Sequence, residues 1–295
     1  MRDAGQRVAL DAPAKINLFL HITGRRGDGY HELDSIFLFT GLRDRLNALK
    51  APAGVFDLAV SGPWGGALAA EGEDNLVLRA ARALANCTGG EAGAHLELEK
   101  QIPVAAGLGG GSADAAAALR ALADLWGLEG GTRDLAQLAA GIGADVPPCL
   151  APCPWRARGI GDELSPLDGT PEWGLVLVNP RIPLPTAQVF AALREGGRPF
   201  RAPLPGRLPW RDVGWLQQMT GNDLEPAACA LAPPVAEVLA ALEAGGGCLL
   251  ARMSGSGATC FGLYADGAAA EAAAAAIRRA RPGWWVWAGG FFPEG

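Results

Sequence analysis

Short apolar or alternating runs at residues 14–22, 33–40, 55–60 and 95–99 predict β-strands, since successive strand side chains point to opposite faces. A helical period interrupts them over 76–85, with Asp74 or Asn75 as cap and Thr88-Gly89-Gly90 as stop. An alanine-rich helix is predicted over 113–126, then a glycine-rich break at 127–131 and a helix capped by Thr132 that runs to 140. Residues 147–154 hold Pro147, Pro148, Pro152 and Pro154, and are expected to be extended. A buried strand follows at 173–179. Beyond it the pattern turns mainly helical, at 186–194, 212–219, 235–244 and 268–280, with strands at 248–253, 259–264 and 284–287. Residues 196–211, rich in Pro, Gly and Arg, read as a surface loop or a short mobile insertion. The layout is α+β, with two domains divided between about 155 and 172.

Composition narrows the class. The 295 residues are 49% hydrophobic and 19% charged, and no apolar run is long enough to span a bilayer. No long apolar stretch follows the first residues, so a cytoplasmic location is expected. A net charge of −6 argues against a nucleic-acid or anionic-membrane binder. The six cysteines show neither a C-x-x-C pair nor zinc spacing, and read as buried or idle thiols. Lysine is rare. Of 25 basic residues, Lys15, Lys50 and Lys100 are lysine and 22 are arginine.

Chemistry concentrates in a glycine loop, Pro103-Val104-Ala105-Ala106-Gly107-Leu108-Gly109-Gly110-Gly111-Ser112, which opens into the alanine-rich helix. Glycines let an anion approach the main chain, and a helix start offers unpaired N–H groups at the positive end of its dipole. Ser112 can cap the helix or donate to a phosphate. The run matches neither the Walker loop nor the dinucleotide fingerprint, so it is a different phosphate loop or a turn with a good cap.

Three further features stand out. Lys15 and Asn17 share one face of the first strand with Phe19, which makes either a candidate site or a solvated edge. Asp145 leaves the end of a helix, where the dipole disfavours a carboxylate unless a cation partners it. Gly255-Ser256-Gly257 joins two strands, either as a second backbone approach to a ligand or as a plain hairpin.

In order, Pro13-Ala14-Lys15-Ile16-Asn17-Leu18, the glycine loop and Gly255-Ser256-Gly257 resemble the three-motif signature of the GHMP small-molecule kinases. Arg26-Gly27-Asp28-Gly29-Tyr30-His31-Glu32-Leu33, Glu73-Asp74-Asn75-Leu76, Gly143-Ala144-Asp145-Val146-Pro147 and Gly221-Asn222-Asp223-Leu224-Glu225 extend the likeness to the members that act on a cytidylyl-diphospho polyol. The resemblance covers nearly the whole chain. It implies an N-terminal β-rich α/β domain like the second domain of ribosomal protein S5 over 1–160, and a ferredoxin-like α+β domain over 161–295. It implies ATP-dependent phosphorylation of the acceptor's C2 hydroxyl in isoprenoid precursor biosynthesis, with ATP and Mg²⁺, by a monomer or weak homodimer.

Residue by residue, the resemblance makes Lys15 and Asp145 the catalytic pair: Asp145 takes the hydroxyl proton, and Lys15 stabilises the alkoxide and holds the carboxylate ionised. It puts residues 103–112 at the ATP phosphates and Asn75 with Leu76 beside adenine. Tyr30 and His31 read cytosine, Phe190 stacks on it from the other side, Asn17 lies near the polar head and Thr186 near the nucleotide. Three departures stand out: Pro148-Cys149 where aromatics are usual, changed flanks around Gly159-Ile160-Gly161, and Ala113 in place of a second serine after Ser112. None removes a residue of the implied mechanism.

Overall fold

The structure, a computed structural model, describes residues 6–68, 74–89, 92–128 and 132–293, without the side chains of 67 and 132–134. In chain order, the elements up to the glycine loop are β1 (Arg7–Arg25), β2 (His31–Lys50), β3 (Phe56–Ser61), α1 (Gly65–Leu68), α2 (Leu76–Ala85) and β4 (Ala94–Glu99). After it come α3 (Gly110–Trp126), α4 (Thr132–Ile142), α5 (Val146–Cys149), β5 (Trp155–Arg158), β6 (Glu163–Pro166) and β7 (Gly174–Asn179). The rest is α6 (Thr186–Glu195), α7 (Val213–Met219), α8 (Glu225–Leu231), α9 (Pro234–Ala244), β8 (Leu250–Met253), β9 (Cys260–Tyr264), α10 (Gly267–Ala280) and β10 (Trp285–Gly289).

Two compact units divide the chain, and neither is contiguous. The first takes Met1–Ala14, Leu42–Val104 and Gly109–Pro152; the second takes Lys15–Gly41, Ala105–Leu108 and Cys153–Gly295. Strands β1 and β2 therefore each contribute one half to each unit.

In the first unit β4 pairs parallel to β3 and antiparallel to the second half of β2. Its alternation is strict: Ala94, Leu96 and Leu98 are buried, while His95, Glu97 and Glu99 face outward. Helix α2 starts where expected, because the Asn75 side chain accepts the Val77 N–H at 2.9 Å and satisfies one of the orphan donors. It packs on α3, whose alanines from Ala113 to Ala123 allow close approach and are all buried. Helix α4 begins at Thr132, whose predicted capping side chain lies outside the described residues.

Two expectations are overturned here. Helix α3 begins at Gly110, with Gly109 as its cap residue at φ 65°, so Ser112 lies in the first turn instead of capping it. A helix lengthens backward when its glycines can take helical dihedrals and its last loop residue can turn left-handed. Residues 146–149, expected to be extended, form the short helix α5, with Pro147 and Pro148 in its first turn, where a missing N–H leaves no bond unmade. Asp145 is the residue before that helix, and its side chain makes no capping hydrogen bond to it.

In the second unit β7–α6 to α9–β8–β9–α10–β10 builds an antiparallel sheet in the order β10-β7-β9-β8, the ferredoxin-like arrangement. β7 is buried on both faces, and Val176 and Val178 meet Val235, Val238 and Leu242 of α9 and Ala270, Ala274 and Ile277 of α10 in one core. The helix at 225–231 and the β5–β6 hairpin escape the apolar pattern because they are short. The arginine-rich stretch 196–211 is pinned to this unit. Buried Arg156 pairs with buried Asp34 and donates to the carbonyls of Leu204, Pro205 and Gly206, and Asp34 Oδ2 also accepts the Leu204 N–H. Leu208 and Trp210 are buried beyond these contacts.

His21, also buried in this unit, accepts the Gly221 N–H at Nε2. Burial, with help from Arg201, lowers its pKa from 6.5 to about 4. Below pH 6.5 the unfolded chain gains a proton that the folded one refuses until about pH 4. Stability is therefore expected to fall as pH drops through that window. His21→Gln, which keeps an acceptor but does not titrate, should flatten the dependence in urea unfolding at several pH values; an unchanged slope would assign it to other groups.

Candidate active site

The polar face of β1 that the sequence singles out is buried. Lys15 is 5% exposed and Asn17 2%, which removes the solvated-edge reading. Lys15 Nζ donates to Asn17 Oδ1 at 3.0 Å and lies 4.1 Å from the centre of the Phe37 ring. Asn17 Nδ2 in turn donates to Ser35 Oγ at 2.9 Å, and Ser35 donates to the Phe19 carbonyl. Lysine and amide are thus locked in one orientation by a chain of hydrogen bonds within the second unit.

The central part of the glycine loop, Ala105–Leu108, belongs to the same unit and is fixed against this face. The Lys15 N–H donates to the Leu108 carbonyl at 2.8 Å. Ser254 Oγ accepts the Asn17 N–H at 3.3 Å and donates to the Gly107 carbonyl at 3.0 Å, so one hydroxyl joins strand, loop and turn. The Thr259 N–H reaches the Ala106 carbonyl at 3.3 Å. Gly107 has φ 74°, and a Cβ there would lie 2.6 Å from the Gly257 carbonyl oxygen and 2.8 Å from that of Ser254. Gly255-Ser256-Gly257 is therefore a second backbone segment packed on the loop. Asn222 holds that turn, donating from Nδ2 to the carbonyls of Met253 and Gly255. Thr186 closes the group through a 2.8 Å hydrogen bond with Ser256.

Four residues after Thr186 on α6, Phe190 meets His31 with ring centres 4.9 Å apart. Tyr30, in the turn between β1 and β2, is 62% exposed, a large apolar ring facing solvent. Burial, then the fields of Arg25 and Arg194, lower the pKa of His31 below the usual histidine value. At neutral pH its ring is uncharged and presents one donor and one acceptor.

The first unit holds the remaining predicted residues: Asn75, Leu76, Pro103, Val104, Gly109, Gly110, Gly111, Ser112 and Asp145. Gly111 lies against Leu76, since a Cβ on Gly111 would be 3.4 Å from Leu76 Cδ1. Asp145 is half-buried, and its carbonyl accepts the Cys149 thiol at 3.1 Å, which gives the unexpected cysteine a role in closing α5. The start of α3 has no side-chain cap.

Beneath that helix start lies a cluster missed by the sequence reading. Lys100 Nζ is paired with Asp44 and, at 2.8 Å, with Asp114; all three are buried. Asp44 Oδ1 also accepts the N–H groups of Gln101 and Ile102, which lead into the loop. Burial opposes the charge on Lys100, but the two carboxylates outweigh it and raise its pKa. Burial, followed by the competing pull of Lys100 and the push of Asp44, leaves the Asp114 pKa well above the carboxylate range. Its Oδ1 has no hydrogen-bond partner among the described residues. Rarity of lysine, the signal that marks Lys15, marks Lys100 equally. No group of three or more His, Cys, Asp or Glu side chains suited to a metal occurs among the described residues.

With this arrangement in place, comparison with known proteins defines the class. Residues 75–152 match the family model "GHMP kinases N terminal domain", and residues 200–282 match "GHMP kinases C terminal", so the fold is that of a small-molecule kinase. The 4-diphosphocytidyl-2-C-methyl-D-erythritol kinase of Paramagnetospirillum magneticum is 51% identical, covering 94% of this chain and 96% of its own. That of Cereibacter sphaeroides (strain KD131) is 53% identical over 93% and 96%. A crystal structure of 4-(cytidine 5'-diphospho)-2C-methyl-D-erythritol kinase superposes with a TM-score of 0.79 at 37% identity, covering 98% of this chain and all of that one. The chain belongs to the 4-diphosphocytidyl-2-C-methyl-D-erythritol kinase family.

Two substitutions test the architecture. Gly107→Ala must push Gly257 and Ser254 away and should raise KM for ATP at least tenfold while lowering the melting temperature; unaltered kinetics would mean that the loop needs no such approach. Lys100→Met, which leaves buried carboxylates without their cation, should cost about 3–5 kcal/mol in urea unfolding.

Proposed function

We propose that this enzyme transfers the γ-phosphoryl group of ATP to the C2 hydroxyl of 4-diphosphocytidyl-2-C-methyl-D-erythritol, giving the 2-phosphate and ADP. The observation that carries the reading is the pinning of the Lys15–Asn17 face, the glycine loop and the Ser254–Gly257 turn by the single Ser254 hydroxyl, in a chain alike over 94% of its length to a kinase of that name.

Phosphoryl transfer asks the protein mostly for position and charge stabilisation. Asp145 accepts the proton of the C2 hydroxyl as its oxygen bonds to the γ-phosphorus and the bond from phosphorus to the ADP oxygen breaks. Lys15, held by Asn17 and Phe37, offers its amine to the developing alkoxide. The N–H groups at the start of α3 and the backbone of residues 103–112 receive the triphosphate, with Asn75 and Leu76 beside adenine. Bound Mg²⁺ would offset the negative charge of the nucleotide phosphates, and the hydroxyl of Ser112, in the first turn of α3, is a group that would help to hold it.

Cytosine is read by stacking and by its edge. Tyr30 and Phe190 supply the faces, and neutral His31 supplies a donor and an acceptor for the polar edge. Asn17 and Thr186 orient the polyol head and the nucleotide. The enzyme works in the cytoplasm as a monomer or weak homodimer.

The test is ATP consumption with the cytidylylated methylerythritol, followed by mapping of the product phosphate and a panel of acceptors without cytidine. Equal turnover of homoserine or mevalonate would redirect the assignment within the superfamily. Asp145→Ala should lower kcat by about 10²–10⁴-fold while ATP still binds. Near-normal turnover would remove Asp145 as the base.

A further inference from the structure

On the second unit, beside His31, a cavity of about 490 Å³ opens between the end of β1 and the segment after α6. Four arginines line it, Arg25, Arg194, Arg198 and Arg201, against one acidic residue, Asp223. That carboxylate is already committed: Oδ2 accepts the Ile22 N–H at 2.8 Å and Oδ1 accepts Arg201 Nε at 2.7 Å. Arg25 reaches the Gly29 carbonyl at 3.5 Å, and neither Arg194 nor Arg198 makes an ion pair among the described residues. Three arginines from two separate segments thus line one concavity without an ion pair among the described residues, on a chain whose net charge is −6.

A solvated surface accounts for single arginines, and the C-terminus of α6 accounts for Arg194. Neither accounts for the convergence of Arg25 and Arg198 on the same cavity. Its remaining wall is apolar, with Ile22, Leu193 and Phe200, the last 51% exposed. Forked guanidinium groups beside an apolar wall match a phosphate-bearing head with a small hydrocarbon group attached. The volume suits a ligand of that size.

We propose that this cavity is a second anion site, which takes a small organic diphosphate ester and shares His31 with the cytosine reader. The inference rests on the proposed function only for the role of that neighbour. Burial is the main cause of the lowered His31 pKa, and Arg25 and Arg194 add to it; an anion bound there would offset the arginines' part, so binding there and at the cytosine position are linked, and linkage is reciprocal.

The probes are inorganic pyrophosphate and n-butyl diphosphate, titrated into the full-length protein with a non-hydrolysable ATP analogue filling the phosphate loop. His31 is followed by NMR across pH. Both probes should raise the His31 pKa, and the butyl ester should bind more tightly. In R198Q, which leaves the groups acting on His31 in place, the affinity for both probes should fall about tenfold, with kcat and both KM values unchanged, and R198K should recover part of it. Equal binding in R198Q, or no response at His31, would overturn the site. A rise in KM for the cytidylyl substrate in R198Q would overturn it too, by showing that Arg198 holds the substrate's own diphosphate. Failure of the proposed function would appear separately, as inactivity of the wild-type enzyme on that substrate.

Discussion

The site depends on a backbone approach that tolerates no side chain. At Gly107 the loop runs so close to the carbonyls of Ser254 and Gly257 that a single Cβ would overlap both. Because of that approach, Ser254 can bond strand and loop with one hydroxyl, and Lys15 is held by the loop through its own N–H. Asn222 supports the same contact from behind by fixing the turn. Three segments far apart in sequence are set by one steric allowance, and the lysine inherits their rigidity.

Buried charge is used in two ways. Arg156 with Asp34, and Arg252, which donates to the Leu18 and Thr220 carbonyls, fasten loops and strands by spreading a planar fork over several acceptors. Burial lowers the Arg252 pKa to about 10, which leaves it cationic in the physiological range. Lysine serves where a compact amine must point at one place. Lys15 faces Asn17 and Phe37, and Lys100 sits between two carboxylates under the start of α3. A chain with so few lysines places two of them in buried polar clusters.

Much of this was legible in the residues. Strict alternation in β4, the Asn75 cap and the valine-rich β7 are local signals, and the elements stand where those signals put them. Order and spacing of the motifs pointed to the kinase family before any geometry. What escaped is set by tertiary context. Two prolines in succession suggested extended chain, yet at the first turn of α5 they cost no hydrogen bond. Three glycines and a serine suggested a loop, yet Gly110, Gly111 and Ser112 are the opening turn of α3. Asp44 lies on the apolar face of β2, and its partner Lys100 is 56 residues away, a distance over which no periodicity speaks.

The alternation of the two units along the chain bears on how the molecule is made. Residues 15–41 belong to a unit whose remaining parts are mostly encoded after residue 152. β1 and β2 can pair with each other at once, but at about 5–20 residues per second on the ribosome the rest of their unit begins to emerge only roughly 6–22 s later. During that interval the apolar residues Phe19, Ile36 and Leu38, fully covered in the finished protein, are open to wrong pairing. Order of synthesis therefore leaves these residues without most of their covering unit until the second half of the chain has emerged.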